Sequence, residues 1–141
     1  MNNKKVACVG SGVIGASWAI CFALKDLDVV VYDINDEVLS KAKTIIHDNL
    51  NILKENNVLD ETRLQEVENH IKLTTSMEEA VRGACFIQES APEHYDVKHQ
   101  VVKEIEKYCL DDAIIASSTS GLLISEIAKN AKHPERFVGG H

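Results

Sequence analysis

Lys5-Val6-Ala7-Cys8-Val9 runs into Gly10-Ser11-Gly12-Val13-Ile14-Gly15, then a helical pattern to Lys25, then Val29-Val30-Val31-Tyr32-Asp33. This order is strand, glycine turn, helix, strand. The three glycines fit the spacing G-x-G-x-x-G, and each has a physical task in a dinucleotide site. Gly10 allows a sharp turn at the strand end. Gly12 has no side chain, so a pyrophosphate can approach the backbone. Gly15 allows the helix to pack closely. Val13 and Ile14 open the helix, whose free N–H groups and positive dipole end face the phosphates, and they are counted with the cofactor site. Asp33 ends the second strand, 18 residues after Gly15. A carboxylate there accepts hydrogen bonds from ribose hydroxyls and repels a 2′-phosphate. Ile34-Asn35-Asp36 offers no Arg to neutralise one, so NAD is expected over NADP. The competing reading is a tight turn whose glycines serve packing only.

With 141 residues the chain is long enough for one core and one domain. Its 45% hydrophobic and 26% charged content is that of a soluble globular protein. A net charge of −7 with no basic stripe argues against nucleic acid as a partner. The apolar run after Val6 is broken by the glycine turn, so neither a signal peptide nor a membrane span is expected. Cys8, Cys21, Cys85 and Cys109 form no C-x-x-C pair. They read as buried, reduced thiols of a cytoplasmic protein. Neither these nor the six His show ligand spacing, so no metal is expected.

Farther along, Leu39, Ala42, Ile45, Ile46, Leu50 and Leu53 recur at helical spacing, which predicts one amphipathic helix from Asp36 to about Lys54. Asn56-Asn57 ends it, and Asp60 can cap a shorter helix carrying Leu64 and Val67. His70–Thr74 reads as a third strand. Ser76-Met77-Glu78-Glu79 has the capping-box pattern for a helix stopping at Gly83. Cys85–Glu89 is a fourth strand, with Pro92 blocking continued pairing. Val97, Val101, Ile105 and Tyr108 mark the next helix stripe. Ala113–Ala116 is a fifth strand, Ser117–Gly121 a polar turn, and Leu123–Ala131 a helix. Phe137–Gly140 begins a sixth strand. Trp18 lies off the first helix's stripe of Ala16, Ile20, Ala23 and Leu24, and is assigned to packing.

Apolar strands alternating with helices predict an α/β fold with a parallel sheet covered on both faces. The expected architecture is a Rossmann-type doubly wound sheet of order 3-2-1-4-5-6, with a helical excursion between strands two and three. Ligands of such sheets bind outside the carboxyl ends of the strands, at the switch point between strands one and four. The segments there are Gly10–Gly15, Asp33, Glu89–Glu93, Ser117–Ser120 and His141. Polar groups at five strand ends converge on one crevice.

Four segments together resemble the NAD-binding domain of the 3-hydroxyacyl-CoA dehydrogenase superfamily, over essentially the whole chain. They are Val9–Gly15, Ile87-Gln88-Glu89-Ser90-Ala91-Pro92-Glu93, Ser117-Ser118-Thr119-Ser120-Gly121-Leu122, and Arg136-Phe137-Val138-Gly139-Gly140-His141. The resemblance implies that residues 1–141 are the NAD-binding domain and that the family's C-terminal helical substrate and dimerisation domain is absent from this chain. It implies that His141 is the catalytic base and that Ser120 contacts the substrate oxygen. It places Glu93 and Lys98 near the ribose of the nicotinamide half. Trp18, Ser-Ala-Pro-Glu and Ser-Thr-Ser-Gly look more like the branch with lambda-crystallin, L-gulonate 3-dehydrogenase and L-carnitine dehydrogenase. The fatty-acid oxidation branch typically has Asn where Ser118 stands.

A neutral-pKa imidazole suits proton abstraction from a hydroxyl as hydride leaves the neighbouring carbon. Ser120 is open between that substrate contact and a cap for the following helix, and Glu93 with Lys98 between cofactor contact and pairing on a solvated helix start. The expected function is hydride transfer between NAD and a 3-hydroxyacyl-CoA or similar 3-hydroxy acid, within fatty acid metabolism. Carnitine or gulonate oxidation by the same chemistry is the alternative. A non-catalytic structural protein and an FAD or S-adenosylmethionine site are the readings from other classes. A small-molecule substrate and a possible homo-oligomer are the expected partners. The 141-residue chain alone is expected to bind NAD without turnover, since the partner that orients His141 lies outside it.

Overall fold

The computed structural model describes residues 4–141. Six parallel strands form one sheet: β1 (Lys5–Val9), β2 (Asp28–Tyr32), β3 (Ile71–Thr74), β4 (Phe86–Glu89), β5 (Ile114–Ser117) and β6 (Phe137–Gly139). Their order is β3-β2-β1-β4-β5-β6, as the alternation predicts. The helices are α1 (Val13–Ala23), α2 (Asp36–Glu55), α3 (Glu61–Asn69), α4 (Met77–Val81), α5 (Tyr95–Tyr108) and α6 (Ile124–Ile127).

Side-chain alternation along the strands makes two cores. Val6, Cys8, Val29 and Val31 face one way and pack with Ala16, Ala19 and Ile20 of α1, Ile46 and Leu50 of α2, and Leu64 and Val67 of α3. Ala7, Val9, Val30, Ile87 and Ile115 face the other way, against Ala80 and Val81 of α4 and Ile105 of α5. Trp18 stacks on Phe22 at 5.6 Å and packs against the first core. The helical excursion is α2 and α3. Asn35 caps α2 through Val38 N–H, and Asn57, at φ +59°, ends it in the left-handed region. Asp60 caps α3 through Arg63 N–H.

Several local expectations are corrected. The capping box at Ser76 is half formed. Ser76 Oγ accepts from Glu79 N–H, but the Glu79 carboxylate accepts from Thr74 Oγ1 instead of returning to Ser76. The helix expected over Leu123–Ala131 ends at Ile127, because turns follow it. Cys85 and Cys109 lie just outside β4 and α5, and Cys21 and Cys85 are exposed; only Cys8 is fully buried. Burial, with Cys21 nearby, pushes the Cys8 thiol up to about 12, which keeps it inert. The stripe of α5 is rotated by one residue. Its buried face is Lys98, Val102 and Ile105, whereas Val97 is exposed and Val101 half-buried.

Candidate functional site

The carboxyl ends of β1 and β2 open into a crevice of about 510 Å³. Its floor is Gly10, Ser11 and Gly12, and its walls include Tyr32, Asp33, Ile34 and Val38 on one side and Ser90–Pro92, Val97 and Val101 on the other. A larger groove of about 880 Å³ lies between α5 and the segment after α6, but no strand end reaches it.

The glycines are explained one by one. Gly10 sits at φ +102°, which disfavours a side chain, and a Cβ there would lie 2.7 Å from the Ser90 carbonyl oxygen. A Cβ on Gly15 would lie 1.9 Å from the Gly10 oxygen, so the helix start is packed directly on the turn. A Cβ on Gly12 would meet nothing within 4 Å. The fold does not need glycine at position 12, and the space beside it is free for a ligand group. Helix α1 has no side-chain cap and no acid in its first turn. Its first N–H groups therefore lack the usual internal partners and suit an anion. Val13 and Ile14 are 68% and 55% exposed, and their side chains do not line the crevice. What they can offer a cofactor is backbone.

Asp33 is held in place before any ligand arrives. Its Oδ2 accepts from Ser11 N–H at 2.9 Å and Ser11 Oγ at 2.7 Å, and its Oδ1 accepts from Ile34 N–H at 2.7 Å. Each carboxylate oxygen keeps further acceptor capacity for ribose hydroxyls. Ser11 is 2% exposed and is a residue that reading the motif by its glycines alone overlooks.

Beyond Ser90–Pro92 the site changes character. Glu89 and Ser117 are opposite each other in register and both fully buried. Ser117 Oγ donates to Glu89 Oε1 at 2.6 Å, and Ala91 N–H to Oε2 at 2.6 Å. Lys98, 1% exposed, donates to both Glu89 oxygens at 3.0 and 2.7 Å and to the Ala91 carbonyl at 3.0 Å. Those three bonds match the three protons of an ammonium group. Of the two readings of Lys98, pairing on a solvated helix start does not hold, and the direct cofactor contact expected from the resemblance meets an ammonium group that is buried and fully paired. Lys98 is a buried support behind the Ser90–Pro92 wall, and Glu93 stands 3.7 Å from it.

Glu93 caps a different segment. It accepts from Ser120 N–H at 3.2 Å. Desolvation would raise its carboxyl, but hydrogen bonds from Thr119 and the Ser120 and Gly121 amides, with the Lys98 charge, hold it below the usual carboxylate range. Thr119 Oγ1 accepts from Leu122 N–H at 2.9 Å, so the turn bond that is one of the two readings of Ser120 is made by Thr119. Ser120 is exposed, and its hydroxyl has no partner among the described residues. His141 follows β6 and is exposed at the same edge of the sheet. Ser118 bonds Ser90 Oγ at 2.7 Å and the Gln88 amide at 2.8 Å. Ser117, Ser118 and Thr119, expected as turn residues, are three different supports. Among the described residues no cluster of His, Cys, Asp or Glu could hold a metal, and no helix is long and apolar enough to cross a membrane.

Residues 5–141 match the family model described as 3-hydroxyacyl-CoA dehydrogenase, NAD binding domain. The chain is 40% identical over 138 residues to an L-carnitine dehydrogenase/betainyl-CoA thioesterase of Rhizobium meliloti, covering 97% of this chain and 27% of that protein. It is 39% identical over 140 residues to an L-carnitine dehydrogenase of Oceanobacillus iheyensis, covering 98% of this chain and 44% of the relative. Its fold superposes on (S)-3-hydroxybutyryl-CoA dehydrogenase of Ralstonia eutropha with a TM-score of 0.93 at 30% identity, over 99% of this chain and 49% of that one. The chain thus spans less than half the length of these relatives.

Proposed function

The chain belongs to the 3-hydroxyacyl-CoA dehydrogenase family as its NAD-binding domain, and from that premise we propose that it serves an NAD-dependent oxidation of a small 3-hydroxy acid. The observation that carries the cofactor half is the crevice itself: open space beside Gly12, an uncapped α1, and Asp33 already aimed by Ser11. When bound, NAD supplies the hydride acceptor. Gly10, Gly12 and Gly15, with the amides of Val13 and Ile14, would take the pyrophosphate, and Asp33 the adenine ribose. Tyr32, Val97 and Val101 give that end of the crevice a largely apolar lining suited to a base ring.

In this reading His141 takes the proton of the substrate hydroxyl, and the free Ser120 hydroxyl hydrogen-bonds the same oxygen. Glu93 fixes the Ser120 backbone, and Lys98 acts through Glu89 instead of touching cofactor. A helical domain beyond this one would close over the nicotinamide. The relatives' greater length leaves room for such a domain. The substrate class we favour is the carnitine type, a 3-hydroxy acid carrying a quaternary ammonium group, because relatives so named reach 39–40% identity across the chain. The 3-hydroxyacyl-CoA reading is supported by the family model and by the fold match at 30% identity. Its four unpaired cysteines fit a reducing, cytoplasmic setting.

Calorimetry with NADH and NADPH tests the first half, with NADH expected to bind and NADPH to bind at least about tenfold more weakly. Equal affinities would sink the Asp33 assignment. The complete gene product, assayed with L-carnitine and 3-hydroxybutyryl-CoA by NADH absorbance, tests the second half. Turnover of neither substrate, or undiminished turnover by a His141→Asn variant, would overturn it.

A further inference from the structure

Gln88 is a buried polar residue that the cofactor-binding residues do not need. It is 1% exposed and sits at the carboxyl end of β4. In register it lies opposite Ala116 of β5, which in turn lies opposite Val138 of β6. Residues two apart on a strand share a face. Ser90, Ser118 and Gly140 therefore project with Gln88, one step nearer the crevice edge. Gln88 Nε2 donates to Ser118 Oγ at 2.8 Å and to the Gly140 carbonyl at 2.9 Å. The second bond crosses an entire strand, from β4 over β5 to the end of β6. A carbonyl can only accept, so the amide nitrogen must be the atom that faces it.

The crossing is possible because the residues in between are small. A Cβ on Gly140 would lie 3.0 Å from the Ala116 Cβ and 3.5 Å from both polar atoms of the Gln88 amide. Glycine at 140 admits the clamp, but it also brings backbone freedom. Strand β6 cannot supply the missing stiffness by itself. It has three residues and is an edge strand, paired on one side only. Its ladder ends with Gly140 N–H donating to the Ser117 carbonyl at 2.8 Å. The Gly140 carbonyl belongs to the peptide plane that carries the His141 N–H. Whatever holds that oxygen fixes the direction in which His141 leaves the sheet.

We propose that Gln88 is the positioning residue for His141: it holds the Gly140–His141 peptide plane, through the Gly140 carbonyl, at the edge of the crevice. The proposal rests on the reading of His141 as the base. Without the clamp, a catalytic imidazole would hang from a glycine at the end of a short edge strand. With it, three elements are tied in one hydrogen-bonded line: Ser90 and Gln88 of the β4 end, Ser118 after β5, and Gly140 after β6.

The test uses the 141-residue chain labelled with nitrogen-15. In the wild type, the Gln88 side-chain NH₂ protons exchange with solvent at least about tenfold more slowly than those of exposed Gln100. Equal rates overturn the clamp, and this measurement needs no variant to fold. Gln88→Met then keeps the length of the side chain and removes both donors. The expected result is a collapse of the His141 amide and imidazole resonances to values of an unstructured terminus, with NADH affinity nearly unchanged, the fold retained by circular dichroism, and a melting temperature lowered by the lost hydrogen bonds. A His141 that is equally ordered in both proteins, or already disordered in the wild type, overturns the proposal. Failure of the wild type to bind NADH, or turnover by His141→Asn in the complete gene product, would instead fail the functional reading and leave the exchange result standing.

Discussion

On the β1–β2 side the crevice is made of backbone. Three glycines shape a turn, an uncapped helix start points its amides outward, and one carboxylate is aimed by Ser11. On the β4–β6 side it is backed by buried and half-buried polar side chains. Glu89, Lys98 and Ser117 interlock on one face of the sheet, and Gln88, Ser118 and Ser90 on the other. Consecutive residues of one strand, Gln88 and Glu89, anchor the two networks in opposite directions. The first side is shaped to receive a ligand group, and at Gly12 it can lose its binding without losing its fold. The second is part of the fold, so its function and its stability cannot be separated as cleanly.

The sharpest separation is expected at Gly12. Gly12→Val should abolish NADH binding in a titration while circular dichroism and melting temperature stay close to wild type. Its backbone, at φ −65° and ψ −171°, is extended and open to any residue, and a Cβ there meets no protein atom within 4 Å. In the proposed site the new side chain would fill the pyrophosphate's path instead. A folded Gly12→Val protein that binds NADH normally would show that the free space serves nothing, and the contrast between the two sides would fail at its clearest point.

Lys98→Met probes the opposite side. It leaves the Glu89 carboxylate buried without its cation, a change that typically costs about 3–5 kcal/mol. Urea denaturation at neutral pH should record a loss of that size, and Glu89→Gln in the same chain should recover part of it by removing the stranded charge. A loss under about 1 kcal/mol would mean that the pair behaves like a surface ion pair, and the buried network would no longer distinguish the β4–β6 side.

These two sides were not equally legible in the amino-acid order. Backbone sites leave a local signature, because glycine is the residue a tight turn or a close approach requires. Gly10, Gly15 and Asp33 could therefore be placed from spacing alone, and the alternation of strands with helices gave the sheet order. Side-chain networks leave no such signature. Glu89 and Ser117 are 28 residues apart, and only strand pairing brings them together. Lys98 misled in a specific way. A lysine is not a core residue by type, so periodicity assigns the α5 stripe to Val97, Val101, Ile105 and Tyr108. Its partner at the end of β4 turns Lys98 inward, and the two valines then line the crevice. Ser11 was hidden by standing where the G-x-G-x-x-G pattern accepts any residue.

Asp33→Ala is expected to have a smaller effect than Gly12→Val on the same measurement. Loss of a charge-assisted hydrogen-bond acceptor costs about 1.5–3 kcal/mol, or roughly ten- to a hundredfold in affinity for NADH. NADPH should lose less, since the repelling charge goes with it. The carboxylate is already fixed by Ser11 and Ile34, so Ser11→Ala should move NADH affinity in the same direction by less. Unchanged affinity for both cofactors in Asp33→Ala would remove the ribose contact from the β1–β2 side.

The smallest effect is expected at Glu93, which belongs to the β4–β6 side by position but not by burial. Its side chain is 45% exposed, against 1% for Lys98. It touches the buried network only through the 3.7 Å approach to Lys98, and its main contacts are to Thr119, Ser120 and Gly121. Burial works to raise its carboxyl, yet those hydrogen bonds and the lysine charge leave it below the usual carboxylate range. A carboxyl whose folded-state value lies below its unfolded value stabilises the fold above the unfolded value. That contribution is lost as pH falls through the folded value. Glu93→Gln should therefore cost well under about 1 kcal/mol near neutrality, as solvent-exposed pairs do. The difference from wild type should shrink on acidification below the usual carboxylate range. Urea denaturation of both proteins across a pH series checks the sign and the size together. A Glu93→Gln loss as large as that of Lys98→Met would place Glu93 inside the buried network. The rim that presents Ser120 would then be as rigid as the core behind it, and burial would no longer mark where the support ends and the site begins.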